Sequence, residues 1–178
     1  RKAAAEIGED GISDVFGLRA SFQYGYDRLS EKRGKTYHVR FPLCVNGVRT
    51  SDEKSYIRER VQALIRKGYY PIIAHVERYH SVVKTGLDFI DELRDMGAYI
   101  QMNADSIIGE DGFIIKRFCK KVIKEEMLDF VGSDGHDLAR RTPHIGKCYD
   151  KIEKMMGTDY ADMIFISNPE CIINNERF

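Results

Sequence analysis

Tyr69-Tyr-Pro-Ile-Ile-Ala74, followed at once by His75, is the stretch whose reading decides the fold. It is an apolar run of strand length that starts after Gly68 and ends on an ionisable side chain. Just upstream, Ile57, Val61, Leu64 and Ile65 recur at i, i+4, i+7 and i+8, one face of a helix. Thr50-Ser-Asp-Glu53 has the spacing of a capping box in front of that helix, and Gly68 closes it.

The unit repeats downstream. Leu87, Ile90, Leu93 and Met96 form a helical stripe ended by Gly97, and Ala98 to Met102 is a strand with Asn103 at its end. Ile115, Phe118, Cys119 and Val122 form the next stripe, and Leu128 to Gly132 the next strand, followed by Ser133-Asp-Gly-His136. Ile145, Cys148, Ile152 and Met155 mark a further helix. Asn168-Pro-Glu170 has the form of an N-cap with proline in the first helical position. Asp14 to Gln23 and Thr36 to Leu43 are earlier strand candidates.

Helices alternating with short buried strands predict a parallel α/β sheet. His75, Asn103 and Asp134 lie 28 and 31 residues apart, each at the end of a predicted strand. In a β/α barrel such positions share one rim, where loops and chemistry converge. No linker or low-complexity segment divides the chain, so residues 1–178 are expected to form one domain.

Composition narrows the function. Charged residues are 31% and apolar ones 43%, and 28 basic side chains balance 28 acidic ones. A net charge of zero provides no field to gather nucleic acid or an anionic membrane. No apolar run approaches the roughly 20 residues of a membrane span. Cys44, Cys119, Cys148 and Cys171 are widely spaced, which with no signal-like leader predicts free thiols and a cytoplasmic setting. The start at Arg1 predicts that the natural N-terminus lies upstream.

Asp134-Gly-His136 is the sharpest chemical feature. A carboxylate and an imidazole two residues apart can converge on a borderline metal such as Mn, Fe or Zn. On its own, Asp-x-His is more often a turn in which the aspartate caps a helix. A lone histidine after a strand, like His75, is likewise more often structural. The neighbours shift the balance: Arg78 and Arg141 lie close by in sequence, and a guanidinium beside a metal grips phosphate in a bidentate manner. Arg140 reads as a solvated surface charge. Cys44 precedes Arg49 by one residue too few for a thiolate phosphatase loop, and no P-loop or nucleophile elbow occurs. Gly8-Glu-Asp-Gly11 and Gly109-Glu-Asp-Gly112 read as turns. His38, His80 and His144 show no partner pattern, and the ten tyrosines read as packing.

Taken together, Pro71-Ile-Ile-Ala-His-Val-Glu-Arg-Tyr79, Gln101-Met-Asn103, Ser133-Asp-Gly-His136 and Arg141-Thr-Pro143 resemble the CpsB-type tyrosine phosphatases of capsular polysaccharide synthesis. These belong to the PHP (polymerase and histidinol phosphatase) superfamily. The resemblance runs from about Thr36 to Phe178 and includes Phe165-Ile-Ser-Asn-Pro169 and Ile172-Ile173. It implies a PHP-type distorted β/α barrel, incomplete here at the N-terminus, and a cluster of divalent ions, commonly manganese. It implies hydrolysis of phosphotyrosine on the tail of a bacterial tyrosine kinase in capsule or exopolysaccharide synthesis, with homo-oligomers as a possible assembly. By position, His75, Asp134 and His136 match the family's metal ligands, and Arg78 and Arg141 match arginines associated with substrate phosphate.

The sequence also departs from the family. An opening His-x-His strand and a further histidine are absent. Arg40 stands where one ligand glutamate belongs, and Ser21 or, in a second alignment, Glu6 where the other does. Three readings follow: a metal-dependent tyrosine phosphatase, a non-catalytic PHP-like binding module with a degenerate site, or a phosphatase of a small ester such as histidinol phosphate.

Overall fold

The computed structural model describes residues 52–133 and 144–174. Three strands, β1 (Ile72–Ile73), β2 (Tyr99–Asn103) and β3 (Phe130–Gly132), form a parallel sheet in the order β1-β2-β3. Helix α1 (Lys54–Arg66) precedes it. Between β1 and β2 lie a single 3-10 turn (Val76–Arg78), α2 (His80–Thr85) and α3 (Leu87–Asp95). Between β2 and β3 lie α4 (Ala104–Ile108) and α5 (Phe113–Lys124). After β3 come α6 (Ile145–Met156), α7 (Thr158–Asp162), a π-helical turn (Met163–Ser167) and α8 (Asn168–Asn174). The parallel α/β expectation holds. Closure into a barrel is not seen among the described residues, and the strand candidates at 14–23 and 36–43 lie outside them.

Each strand buries both faces. Ile73, Ile100 and Met102 join the main core with Ile57 and Val61 of α1, Phe89, Ile90 and Leu93 of α3, and Phe118, Cys119 and Val122 of α5. Ile72, Ala74 and Phe130 alternate to the opposite face, where Ile172 of α8 covers them. Period-2 alternation between two helix-covered faces explains why the strands read as continuous apolar runs. The predicted stripes on α3, α5 and α6 are the faces that pack. The short helices α2, α4 and α7 escape the sequence reading because one to two turns show no periodicity.

Two boundary expectations are corrected. Helix α1 begins at Lys54 with Glu53 as its N-cap and no side-chain cap bond, later than a box on Thr50 requires; Thr50 and Ser51 lie outside the described residues. Asn168 is not an N-cap. Its backbone is helical (φ −61°, ψ −45°), continuing from the π-turn, and its Nδ2 donates 2.9 Å to the carbonyl of Asp129 instead. The strand predicted over 69–74 shortens to two residues. Pro71 accepts from Tyr99 N–H (2.8 Å) but has no N–H to give, and His75 leaves extended backbone.

Asp129 ties the layers together at the entrance of β3. Its Oδ2 accepts the Ile100 N–H at 2.8 Å, its Oδ1 lies 3.5 Å from Arg94 on α3, and its carbonyl holds α8. Burial pushes its carboxyl above the ordinary carboxylate range, against the Ile100 and Arg94 contacts that favour the charge. Alanine at 129 leaves a buried strand N–H unsatisfied and is expected to cost about 2 kcal/mol in urea unfolding. Asparagine keeps an acceptor and is expected to cost about half as much.

Candidate active site

The register brings the strand C-termini to one edge. Ile73 pairs with Ile100, and Asn103, the last residue of β2, lies opposite Gly132, the last of β3. His75 follows β1 by two residues, and Asp134 follows β3 by two in the sequence. His75 and Arg78 fall within the described residues; Asp134, His136 and Arg141 fall outside them.

His75 adopts left-handed backbone (φ 42°, ψ 47°), which a non-glycine residue takes up only when its surroundings enforce it. Glu126 does the same after α5 with no chemistry nearby, so the angle alone marks no site. At His75 the enforcing group is visible. Gln101 Oε1 accepts its N–H at 2.7 Å, while the Gln101 Nε2 donates to Asn103 Oδ1 (3.1 Å) and to the Met102 carbonyl (2.8 Å). The half-buried imidazole stacks on buried Tyr79, with centroids 5.7 Å apart. The turn closes with Arg78 N–H on the His75 carbonyl at 2.9 Å.

Glu77 is fully buried in that turn. Its Oε1 lies 3.2 Å from Asn103 N–H and 2.7 Å from Ser106 Oγ, and its Oε2 has no hydrogen-bond partner among the described residues. Desolvation pushes Glu77 up to about 7, opposed by the Ser106 and backbone hydrogen bonds. Ser106 Oγ also lies 2.5 Å from Asp111 Oδ2, and Asp111 Oδ2 lies 3.5 Å from the Arg78 guanidinium. A hydroxyl has one proton to give. Ser106 can therefore give its proton to Glu77 Oε1 or to Asp111 Oδ2 but not to both at once, and it bridges the two carboxyl groups. The order Glu77, Ser106, Asp111, Arg78 is then one connected chain that fixes where Arg78 stands.

The sequence assigns no separate role to Glu77, Gln101, Ser106 or Asp111, although Glu77 and Gln101 both lie in the motifs that carry the resemblance. Glu77 was visible as an acid inside the quoted motif. Asp111 sits in Gly109-Glu-Asp-Gly112, which is a turn as expected, with positive φ at both glycines. Because α4 is only five residues long, that turn comes back to the strand-end edge. His144, expected to have no partner, has its Nδ1 2.8 Å from Asp105 Oδ1 on α4; His80 is exposed at the start of α2, and His38 lies outside the described residues.

Among the described residues no three His, Cys, Asp or Glu side chains are placed to hold a metal ion. Of the three ligands implied by the resemblance, His75 alone falls among the described residues, just past the end of β1. Two imidazoles and a carboxylate are a donor set that suits manganese, iron or zinc. Cys119, Cys148 and Cys171 are free thiols. Burial pushes Cys119 strongly up and Cys148 up to about 12, so neither is a ready thiolate. No helix among the described residues is long and apolar enough to cross a membrane.

The chain is similar to several known proteins. Pneumococcal tyrosine-protein phosphatase CpsB (Streptococcus pneumoniae) is 28% identical over 99% of this chain and 74% of its own length. CpsB of Streptococcus agalactiae serotype III is 32% identical over 78% of this chain and 58% of its own. A putative tyrosine-protein phosphatase CapC of Staphylococcus aureus is 29% identical over 68% and 47%. A crystal structure from work on YwqE of Bacillus subtilis and CpsB of Streptococcus pneumoniae, described as unique metal-dependent tyrosine phosphatases, superposes with a TM-score of 0.66 at 26% identity. That match covers 73% of this chain and 52% of the other, so the chain spans about half to three quarters of the length of its relatives. The family described as "Capsular polysaccharide synthesis, CpsB/CapC" matches residues 43–174, a span that holds the three described strands, and the chain belongs to that family.

Proposed function

We propose that the chain is the greater part of a metal-dependent protein-tyrosine phosphatase of capsule or exopolysaccharide synthesis. Its substrate is the phosphotyrosine-bearing tail of a bacterial tyrosine kinase, and its setting is cytoplasmic. The family match over residues 43–174, whose named members are tyrosine-protein phosphatases, carries this reading. The parallel sheet is part of a distorted β/α barrel, and residues 1–178 form one domain.

In this reading His75, Asp134 and His136 hold divalent metal, manganese first and iron or zinc as alternatives. Such an ion, when bound, acts as a Lewis acid towards phosphoryl oxygen and lowers the pKa of water. Arg78 and Arg141 hold the phosphate and offset the charge that builds on its oxygens as the ester bond breaks. Glu77 and Gln101 do not touch substrate. They hold the turn so that the His75 ring and the Arg78 guanidinium arrive from one rigid element.

The test is hydrolysis of a phosphotyrosyl peptide by the full-length protein with added Mn²⁺, alongside its metal content. Activity should vanish with a chelator. His136→Ala should bind fewer ions and lose turnover. Arg78→Ala should keep its metal while kcat/KM falls about 10²-fold, the usual scale for losing one preorganised donor. Equal activity in wild type and His136→Ala would sink the ligand assignment. One observation favours the non-catalytic module instead: Arg40 occupies the place of an expected carboxylate ligand. Full-length protein that binds no ion supports that alternative.

A further inference from the structure

Helix α5 begins with two fully presented apolar side chains, Phe113 (76% exposed) and Ile114 (72% exposed). The remainder of its outer surface is basic. Lys116, Arg117, Lys120, Lys121 and Lys124 are all exposed, and the helix contains no acid. Isolated exposed apolar residues need no explanation, but an adjacent pair beside a groove does. The groove lies between α5 and the end of α2 and is lined by Val83, Gly86, Ile114, Arg117, Phe118 and Lys121.

Its position relative to the site is the second observation. Helix α2 starts two residues after Arg78, and α5 starts two residues after Asp111, the residue in contact with Arg78. The two helices that wall the groove therefore both start beside the Arg78–Asp111 contact. From Phe113 to Lys121 the helix rises about 12 Å, the span of roughly four extended residues.

The geometry points to this groove as the docking surface for the polypeptide that flanks the phosphotyrosine. The segment it fits is acidic, with an apolar or aromatic side chain near the phosphorylated residue. Its carboxylates face Arg117 and Lys121, and its apolar side chain rests on Phe113 and Ile114. Charge complementarity, and a groove set between two helices that start beside the Arg78–Asp111 contact, favour an acidic peptide over a flat lipid surface. This inference rests on the tyrosine-phosphatase reading.

The experiment uses the full-length protein and two fluorescent peptides bearing a non-hydrolysable phosphonomethyl-phenylalanine. One is flanked by Asp, Glu and a Phe, the other by Lys and the same Phe. Anisotropy should show about tenfold tighter binding of the acidic peptide. R117E/K121E should abolish that preference, and F113S/I114S should weaken the acidic peptide about fivefold. All four residues are exposed, and matched thermal melts show that the fold is kept. Equal affinity for the two peptides, or a preference that survives R117E/K121E, overturns the proposal. So does loss of binding to phosphatidylserine vesicles in R117E/K121E with the peptide preference intact, which assigns the face to a membrane. Turnover of phosphotyrosine without any flank preference defeats the docking surface alone. A flank preference without turnover upholds the surface and defeats the phosphatase reading alone.

Discussion

Alanine at Gly132 is expected to lower unfolding stability by about 3 kcal/mol and to cut phosphatase turnover about 10²-fold. Gly132 sits in β3 opposite Asn103, in ordinary strand backbone, so the effect is one of space and not of conformation. A Cβ there would stand 2.4 Å from Gln101 Nε2 and 3.2 Å from its Cδ. A flexible side chain would swing aside cheaply. Gln101 is buried and holds three partners, the His75 N–H among them. Displacing it adds overpacking, about 1–3 kcal/mol, to the loss of buried hydrogen bonds, about 1–3 kcal/mol. It also releases the backbone of His75, and a shift of about 1 Å in a positioned group can cost 10²-fold in rate.

A double substitution separates these two effects. Gly132→Ala with Gln101→Ala removes the clash, so its stability loss should be smaller than the sum of the singles by more than 1 kcal/mol. Turnover should stay low, because nothing then holds His75. Gly146→Ala is the control: it lies in the first turn of α6 with open space around it, and should be neutral or stabilise by up to about 0.5 kcal/mol. If Gly132→Ala unfolds and turns over like wild type, Gln101 is not the clamp on His75.

The features legible in the sequence were those written in periodicity. Stripes such as Ile57, Val61 and Leu64, or Phe118, Cys119 and Val122, announce helices because burial repeats with the helical turn, and strand ends follow from where those stripes stop. The edge carrying His75 was therefore readable as a position. The scaffolding of that edge was not. Gln101 and Ser106 are polar residues in buried places, and a single sequence does not show which polar residue faces inward. Asp129 and Asn168 work across 39 residues of sequence, and the tie between them is tertiary. Asn168 carried a strong local signal for a cap, and the pull of an unsatisfied buried carbonyl outweighed it.

Glu77→Ala should be the other severe lesion, and its conservative partner should be mild. Truncation removes the acceptor for Asn103 N–H and for Ser106 in a dry pocket and opens a cavity, which together should cost about 3 kcal/mol. It also cuts the chain through Ser106 and Asp111 that sets Arg78, so turnover should fall at least 10²-fold while His75 and the strands remain. Glu77→Gln keeps an oxygen in the Oε1 place and should stay within about 1 kcal/mol of wild type at pH 4.5, where Glu77 is protonated in the fold. The two differ in pH dependence, best measured in metal-free protein so that no ion competes for the turn. Glu77 is raised from 4.5 to about 7 in the fold by burial. The folded state thus holds this proton more tightly than the unfolded chain. The contribution is fully present below about 4.5 and is lost as pH rises to and beyond about 7. Over that window wild type should lose about 3 kcal/mol that Glu77→Gln does not lose. Parallel stability curves for the two proteins from pH 4.5 to 8 would show that Glu77 keeps its charge in the fold.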